Sequence, residues 1–415
     1  MTTTTTFFTL SLFGALLAFN VHVPARRLSA LAIPSFFLGW LVGDLAVFHV
    51  AIGAIVTAGF VAAGVLDEPL GQAGLAIAVL SWVALLAAWP ISRKAGPVAQ
   101  AALDQTYGPI DLTRLLPERV AGLNRVARVG RTFKPFSFAE PGVRVTRNVA
   151  YLDDGDDRHL LDVYRPEGDI TDAPVLLQVH GGGWAIGNKR EQALPLMYHM
   201  ASRGWVCVSI NYRLSPKHAW PAHIEDCKRA TAWIREHITE YGGDPDFVCV
   251  TGGSAGGHLT ALLALSANDP AWQPGFEAAD TRFSAAVPFY GVYDWTNAHK
   301  LQRVDLTGFL ENTVMKKPLA GNEEAFRQAS PMHRVHPDAP PCFVIHGDHD
   351  SLTSVEEARA FVAKLRDTSK SKVAYAEIPG AQHAFVIFHT PRTQGVMPAV
   401  ERFLAEVHSA YRRSS

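Results

Sequence analysis

The chain has 415 residues, of which 48% are hydrophobic and only 19% charged, a charged share below the roughly 25% of ordinary soluble domains. A net charge of −1 with no basic stripe gives nucleic acid no electrostatic foothold. Cys207, Cys227, Cys249 and Cys342 are scattered without a CxxC pair, so neither a thiolate metal site nor a disulfide framework is expected.

The charge deficit is local. Residues 28–66 carry one charged side chain, Asp44, whereas the chain beyond Arg93 has ordinary soluble composition. Residues 45–66 have only His49 ionisable and residues 71–91 have no ionisable group. Each run, at about 1.5 Å per residue, spans a hydrocarbon core of about 30 Å. The break Asp67-Glu68-Pro69-Leu70 between them suits a helical hairpin. Residues 7–23 form a third candidate span, and a cleaved signal peptide is disfavoured because Thr2–Thr6 offers no Lys or Arg. Residues 28–43 are apolar but interrupted by Pro34. As a helix they would reach only about 24 Å, so an interfacial or re-entrant segment packed on the hairpin is expected. Asp44 at its end is a functional-site candidate, although a helix-end carboxylate reaching the headgroups is the simpler reading. Residues 1–93 are thus read as a transmembrane anchor region.

Residues 94–140 read as a connector. Helical periodicity over 98–105 and 112–129, the second rich in arginine, predicts amphipathic or solvated helices near the membrane surface. Residues 141–415 alternate short β-rich runs with helical stretches. Strands are predicted at 143–152, 159–164, 175–180, 205–211, 247–251, 285–290, 342–346 and 373–378. Helices are predicted at 192–203, 223–240, 255–267, 355–367 and 397–410. This alternation predicts an α/β domain with a mostly parallel sheet covered on both faces, and apolar runs such as Val175-Leu176-Leu177 suit buried strands, Cys207 and Cys249 among them.

Two motifs carry the chemistry. Gly252-Gly253-Ser254-Ala255-Gly256-Gly257 follows an apolar strand and opens a helical run, which is G-x-S-x-G in the strand–turn–helix setting that lifts a serine onto a tight turn. Val179-His180-Gly181-Gly182-Gly183-Trp184 also follows a strand, 74 residues before Ser254 counted from His180. Its glycines expose backbone N–H groups suited to an oxyanion, and Ala255 would add another. His180 reads as a loop-orienting residue rather than a base. In the order serine, acid, histidine, the strand at 342–346 runs into His346-Gly347-Asp348-His349-Asp350, and Gly380-Ala381-Gln382-His383 follows the next strand. His383 is preferred over His349 and His389 because it sits on the turn directly after a strand. Spacing alone does not separate Asp348 from Asp350.

At these residues the chain resembles the hormone-sensitive-lipase-like branch of the α/β-hydrolases, and more closely the actinobacterial membrane-associated carboxylesterases. The likeness covers about residues 140–411 and includes Asn211-Tyr212-Arg213-Leu214-Ser215-Pro216 and the stretch from Pro221 to Asp226. It implies an eight-stranded α/β-hydrolase fold and a triad of Ser254, Asp350 and His383. It further implies that Gly182, Gly183 and Ala255 donate the oxyanion-hole N–H groups, with Gly181 shaping the loop. One departure stands out: many relatives carry aspartate where this chain has Gly253.

The expectation is a serine carboxylesterase or lipase that hydrolyses small acyl-ester or lipid substrates through an acyl-enzyme, with no metal and no cofactor. An amidase, a peptidase or an acyltransferase of the same fold shares these residues, whereas a non-enzymatic binding module would not need all of them. Residues 291–335 are expected to cover an acyl pocket, with Trp295, Phe309 and Leu310 lining it. Arg26, Arg27, Arg93 and Lys94 flank the hairpin and Asp67 and Glu68 sit at its tip. A multi-pass protein with the catalytic domain on the cytoplasmic side follows, and free cysteines suit that compartment.

Overall fold

The structure, a computed structural model, describes residues 2–26, 29–123 and 129–414. Arg27, Leu28 and part of the arginine-rich segment at 112–129 lie outside them. The N-terminal helices are α1 (Thr3–His22), α2 (Ser29–Asp44), α3 (Ala46–Ala62) and α4 (Pro69–Ser92). The helix expected over 45–66 ends early because Gly64, at φ 81°, adopts the left-handed conformation that terminates helices. Pro69 then starts α4 at a first-turn position, where its missing N–H costs nothing.

Helices α1, α3 and α4 pack side by side. Phe7 of α1 stacks on Phe60 of α3, while His22 at the other end bonds the Ala84 carbonyl of α4 at 2.8 Å. The start of α1 therefore lies beside the α3–α4 tip, where Thr4 donates to Glu68 at 3.0 Å. The helices Thr3–His22 and Pro69–Tyr107 are each long and apolar enough to cross a membrane. The pair Ala30–Asp44 and Ala46–Ala62 is bent by 87° at its break, as a broken span or a re-entrant loop would be.

Next come α5 (Ala95–Tyr107) and α6 (Pro117–Leu123). The sequence suggested surface-lying amphipathic helices here, but α5 is built into the catalytic core. Ala95, Ala99, Ala102 and Leu103 are buried with Ala376, Ile378 and Val400, and Gly96 sits against Gly395 backbone to backbone. The alanine stripe, which reads as weakly apolar, is what allows so close an approach.

The strands are β1 (Val143–Ala150), β2 (Leu160–Pro166), β3 (Ala173–Val179), β4 (Val206–Ile210), β5 (Gly243–Gly253), β6 (Ala285–Phe289), β7 (Cys342–Gly347) and β8 (Val373–Ile378). They form one sheet in the order β1-β2-β4-β3-β5-β6-β7-β8. Only β2 runs against the others. Helices α7 (Leu194–Ala201), α8 (Ala222–His237), α9 (Ala255–Leu265), α10 (Val304–Phe309), α11 (Glu323–Gln328), α12 (Pro331–Arg334), α13 (Val355–Thr368) and α14 (Pro391–Ser414) complete the chain. Two apolar cores, one on each face, sandwich the sheet, and each of the four cysteines is a buried free thiol. The mostly parallel eight-stranded sheet covered on both sides is the α/β-hydrolase fold, and it gathers the loops after β3, β5, β6, β7 and β8 at one edge, where open parallel sheets bind ligands.

Asp44 does not reach outward toward headgroups. It is buried against Arg392 of α14, Oδ1 to Nη1 2.8 Å, with both side chains only 4% exposed. A carboxylate this deep needs a partner, and α14 supplies one.

Candidate active site

Ser254 stands between the end of β5 and the first residue of α9 with φ 61° and ψ −122°, a conformation that costs a non-glycine residue strain and persists only when its surroundings enforce it. The Ser254 N–H bonds the Phe289 carbonyl at 3.0 Å, and the Ser254 carbonyl accepts from the His258 N–H at 2.9 Å, so β6 and α9 both hold the turn. Gly253 has no alternative: a Cβ there would lie 2.6 Å from the Tyr290 ring. Tyr290 thus accounts for the glycine at this position.

The loop after β3 lies against this turn. A Cβ built on Gly181 would sit 3.0 Å from Ser254 Cβ. The Gly181 N–H donates to Gln192 Oε1 at 2.7 Å. Gly182 has φ +113°, and a Cβ there would be 2.2 Å from the Ile186 carbonyl oxygen. The N–H groups of Gly182 and Gly183 have no intramolecular acceptor among the described residues. That of Ala255 belongs to the first turn of α9, where a helix leaves its amides without internal partners. Three such donors beside a strained serine can hold a developing oxyanion.

His180 lies beneath the loop rather than in it. Its ring stacks on Tyr212 at 4.3 Å, Nδ1 bonds the Gly181 carbonyl at 2.7 Å, and the Tyr212 hydroxyl donates to the His180 carbonyl at 2.9 Å. Burial pushes the imidazole down to about 4, so it stays neutral and serves poorly as a base. Arg213 is fixed by Asp226 (2.6 Å), tying the segment that carries Tyr212 to α8.

The loops after β7 and β8 meet at Asp350 and His383. His383 Nδ1 lies 2.6 Å from Asp350 Oδ2. Asp350 Oδ1 accepts from the Leu352 and Thr353 N–H groups, both at 2.8 Å, and Oδ2 accepts from Thr353 Oγ1 at 2.9 Å. Burial opposes the charge on Asp350, but His383 and His346 outweigh it and hold the carboxyl well below the usual range. An ionised Asp350 can only accept. Nδ1 of His383 therefore carries a hydrogen, and in the neutral ring Nε2 is the nitrogen that can accept. Gln382 Oε1 links the two loops, accepting from the Ser351 N–H (2.7 Å) and the His383 N–H (2.9 Å).

Asp348 and the other histidines are occupied elsewhere. Asp348 Oδ1 accepts from the Gly380 N–H at 2.7 Å, His349 bonds the Val21 carbonyl at 3.3 Å, and His389 packs on Phe138. Tyr290 stands between the serine turn and this pair: its ring is 2.6 Å from where a Cβ on Gly253 would lie and 4.8 Å from the His383 ring. The serine hydroxyl forms no hydrogen bond among the described residues, and such contacts are often long before substrate is bound.

Of the three residues expected to line an acyl pocket, only Phe309 faces the glycine loop, 3.6 Å from a Cβ position on Gly183. Leu310 is in the core, as is Trp295, which packs with Trp184, Trp220 and His258. Sequence reasoning passed over Thr353, Gln382 and Tyr290. The first two left a signal, because Asp350-Ser351-Leu352-Thr353 is a turn in which an aspartate accepts from its own backbone, and Gln382 adjoins the histidine. It also missed Phe36 of α2, whose ring meets His383 edge-on at 5.6 Å; nothing local could have revealed that.

The chain is similar to known esterases. The family model described as BD-FAE matches residues 161–365. The probable carboxylic ester hydrolase LipM of Mycobacterium tuberculosis is 44% identical over 95% of this chain and 92% of its own length. Esterase LipQ of the same organism is 43% identical over 89% of this chain and 85% of its own length. Among solved structures, a truncated carbohydrate esterase from gut microbiota superposes with a TM-score of 0.55 at 22% identity, covering 64% of this chain and 98% of that one. An esterase of the Planctomycetes species Thermogutta terrifontis gives 0.54 at 24% identity, over 64% of this chain and 95% of its own. These two likenesses establish the fold.

Proposed function

Because the chain belongs to the hormone-sensitive-lipase-like family of α/β-hydrolase carboxylic ester hydrolases, we propose that it is a membrane-anchored serine carboxylesterase working through an acyl-enzyme on Ser254. The observation that carries this reading is the 2.6 Å contact between Asp350 and His383, at the sheet edge where Ser254 is held on its strained turn.

Ser254 Oγ attacks the ester carbonyl carbon while Nε2 of His383 takes the hydroxyl proton, and Asp350 stabilises the imidazolium. The carbonyl oxygen gains the negative charge and accepts from the N–H groups of Gly182, Gly183 and Ala255. Collapse of the tetrahedral intermediate breaks the bond to the alcohol, which leaves with the proton from His383. Water then attacks the acyl-enzyme by the same route, releasing the acid and restoring Ser254. His180 and Gly181 support the glycine loop. The reaction needs neither metal nor cofactor.

Residues 1–93 act as the anchor and 141–415 as the catalytic domain. Support comes from the outer faces of the helices, where Phe19 is 60%, Ile55 74% and Leu80 68% exposed, a belt that water would penalise and lipid would not. Arg26, Arg93 and Lys94 lie at the end of the bundle nearer the catalytic domain, and Asp67 and Glu68 at the other. A cytoplasmic catalytic domain is consistent with that charge arrangement, and acyl esters partitioned into the bilayer are its fitting substrates.

The experiment is Ser254→Ala on the purified full chain. Hydrolysis of p-nitrophenyl butyrate and labelling by a fluorophosphonate should both vanish while the thermal midpoint is retained. Substantial residual turnover would remove Ser254 from the reaction. Matched esters and amides, assayed side by side with the wild type, separate esterase from amidase activity.

A further inference from the structure

We propose that α2 is a wall of the active site as well as part of the anchor, and that Asp44 and Phe36 are positioning residues for His383. The inference rests on the triad reading above.

Helix α2 repeats its inward-facing positions every fourth residue, and these meet the two catalytic loops in order. The Ala32 carbonyl accepts from Ser351 Oγ at 3.1 Å, next to Asp350. Phe36 meets the His383 ring edge-on at 5.6 Å. Trp40 stacks on Phe36 (5.4 Å) and on Phe388 (5.0 Å). At Gly39 the helix backbone comes so close to Gln382 that a Cβ would lie 3.5 Å from its Nε2, and Gln382 is the residue that links the acid and histidine loops. Asp44 closes the row. Its partner Arg392 donates through Nη2 to the Gly380 carbonyl at 2.7 Å, three residues before His383.

The logic of the clamp is electrostatic. Arg392 is buried, so its charge is tolerable only with Asp44 beside it. With both in place the guanidinium can grip the carbonyl at the start of the histidine loop. Phe36 then bars the His383 ring from swinging outward. Ile33 of α2 points outward, 49% exposed, so one helix presents an apolar side outward and a shaped side to the reacting groups.

The test uses the full chain in dodecyl-maltoside micelles, with p-nitrophenyl acetate and a fluorophosphonate as probes. The number of sites labelled at completion counts folded, competent enzyme, and the labelling rate per site reports how well His383 is placed. Misplacement of a catalytic group by about 1 Å costs about 10²-fold. Asp44→Ala should therefore slow kcat and labelling per site by about that factor, with KM changed by less than about twofold. Asp44→Asn, which keeps an acceptor for Arg392, should recover a large part of the loss, and Ile33→Ala should match the wild type. If Asp44→Ala fails to fold, Phe36→Leu, an apolar exchange that leaves the ion pair intact, should still slow labelling per site by about tenfold. Unchanged rates per site in Phe36→Leu, or in an Asp44→Ala variant that folds, would overturn the proposal, as would losses confined to the number of competent sites. Wild-type enzyme that labels at a residue other than Ser254 would instead overturn the triad reading.

Discussion

Replacing Asp350 by asparagine should be among the costliest isosteric changes in the molecule, and its geometry says why. Oδ1 of Asp350 is committed to two backbone N–H groups, both at 2.8 Å. An asparagine must keep its carbonyl there, because an NH2 group would face two donors. Its NH2 is then the group that faces Nδ1 of His383, 2.6 Å away in the native pair. A donor at that point forces Nδ1 to accept, moves the ring hydrogen to Nε2, and leaves Ser254 with no base. The same wrong-tautomer effect costs on the order of 10⁴ in kcat in the serine-protease template, about 5 kcal/mol of barrier.

Asp348→Asn serves as the internal control. Asp348 accepts one backbone N–H, that of Gly380, and an amide carbonyl still can. The loss is about 1 kcal/mol, the difference between a charged and a neutral acceptor, and kcat should stay within about tenfold of the wild type. Steady-state hydrolysis of p-nitrophenyl butyrate by the purified full chain decides between them. A kcat for Asp350→Asn within tenfold of the wild type, or a larger loss for Asp348→Asn, would refute the reasoning.

Three further outcomes are expected. Gly182→Ala should lower kcat by about 10²-fold or more, because the φ of +113° and the Ile186 carbonyl, 2.2 Å from where the new Cβ would lie, force the loop, and its N–H donor, to move; wild-type kcat in the folded variant would remove Gly182 from the oxyanion hole. His180, His223 and His258 are held by burial at about 4, 4 and 3, against about 6.5 in the unfolded chain. The unfolded state thus binds protons first, and stability falls as pH drops from about 6.5 toward 4, by up to about 1.4 kcal/mol per pH unit for each histidine; equal thermal midpoints at pH 7.5 and 5.5 would contradict this. Protease added to intact cells should leave the catalytic domain whole and digest it only after lysis, and digestion from outside would reverse the sidedness.

What could be read from the sequence was what the chain writes locally. The serine turn and the glycine loop are contiguous runs in which backbone geometry dictates residue type, and the eight strands announce themselves by short β-rich runs, several of them continuously apolar. The helices α10, α11 and α12 are four to six residues long, too short for a periodicity to develop, and they went unread. Spacing could not separate Asp350 from Asp348, because what distinguishes them is tertiary: Asp348 has an oxygen committed to the Gly380 N–H, and only the family resemblance pointed to Asp350.

Particular residues near the N-terminus were misjudged for a different reason. Its composition was read correctly as apolar, but apolarity does not say which surface a helix will cover. Asp44 looked like a helix-end charge because its partner, Arg392, lies 348 residues away, and Phe36 drew no notice because His383 is nearly as remote. Helix α5 was taken for a surface helix because alanine scores weakly as apolar, yet small side chains are what let it approach Gly395. In each case the informative feature was a mismatch between a residue and its assumed setting. A charge in an apolar run, or an alanine stripe on a supposed surface helix, marks a place where a distant part of the chain must dock.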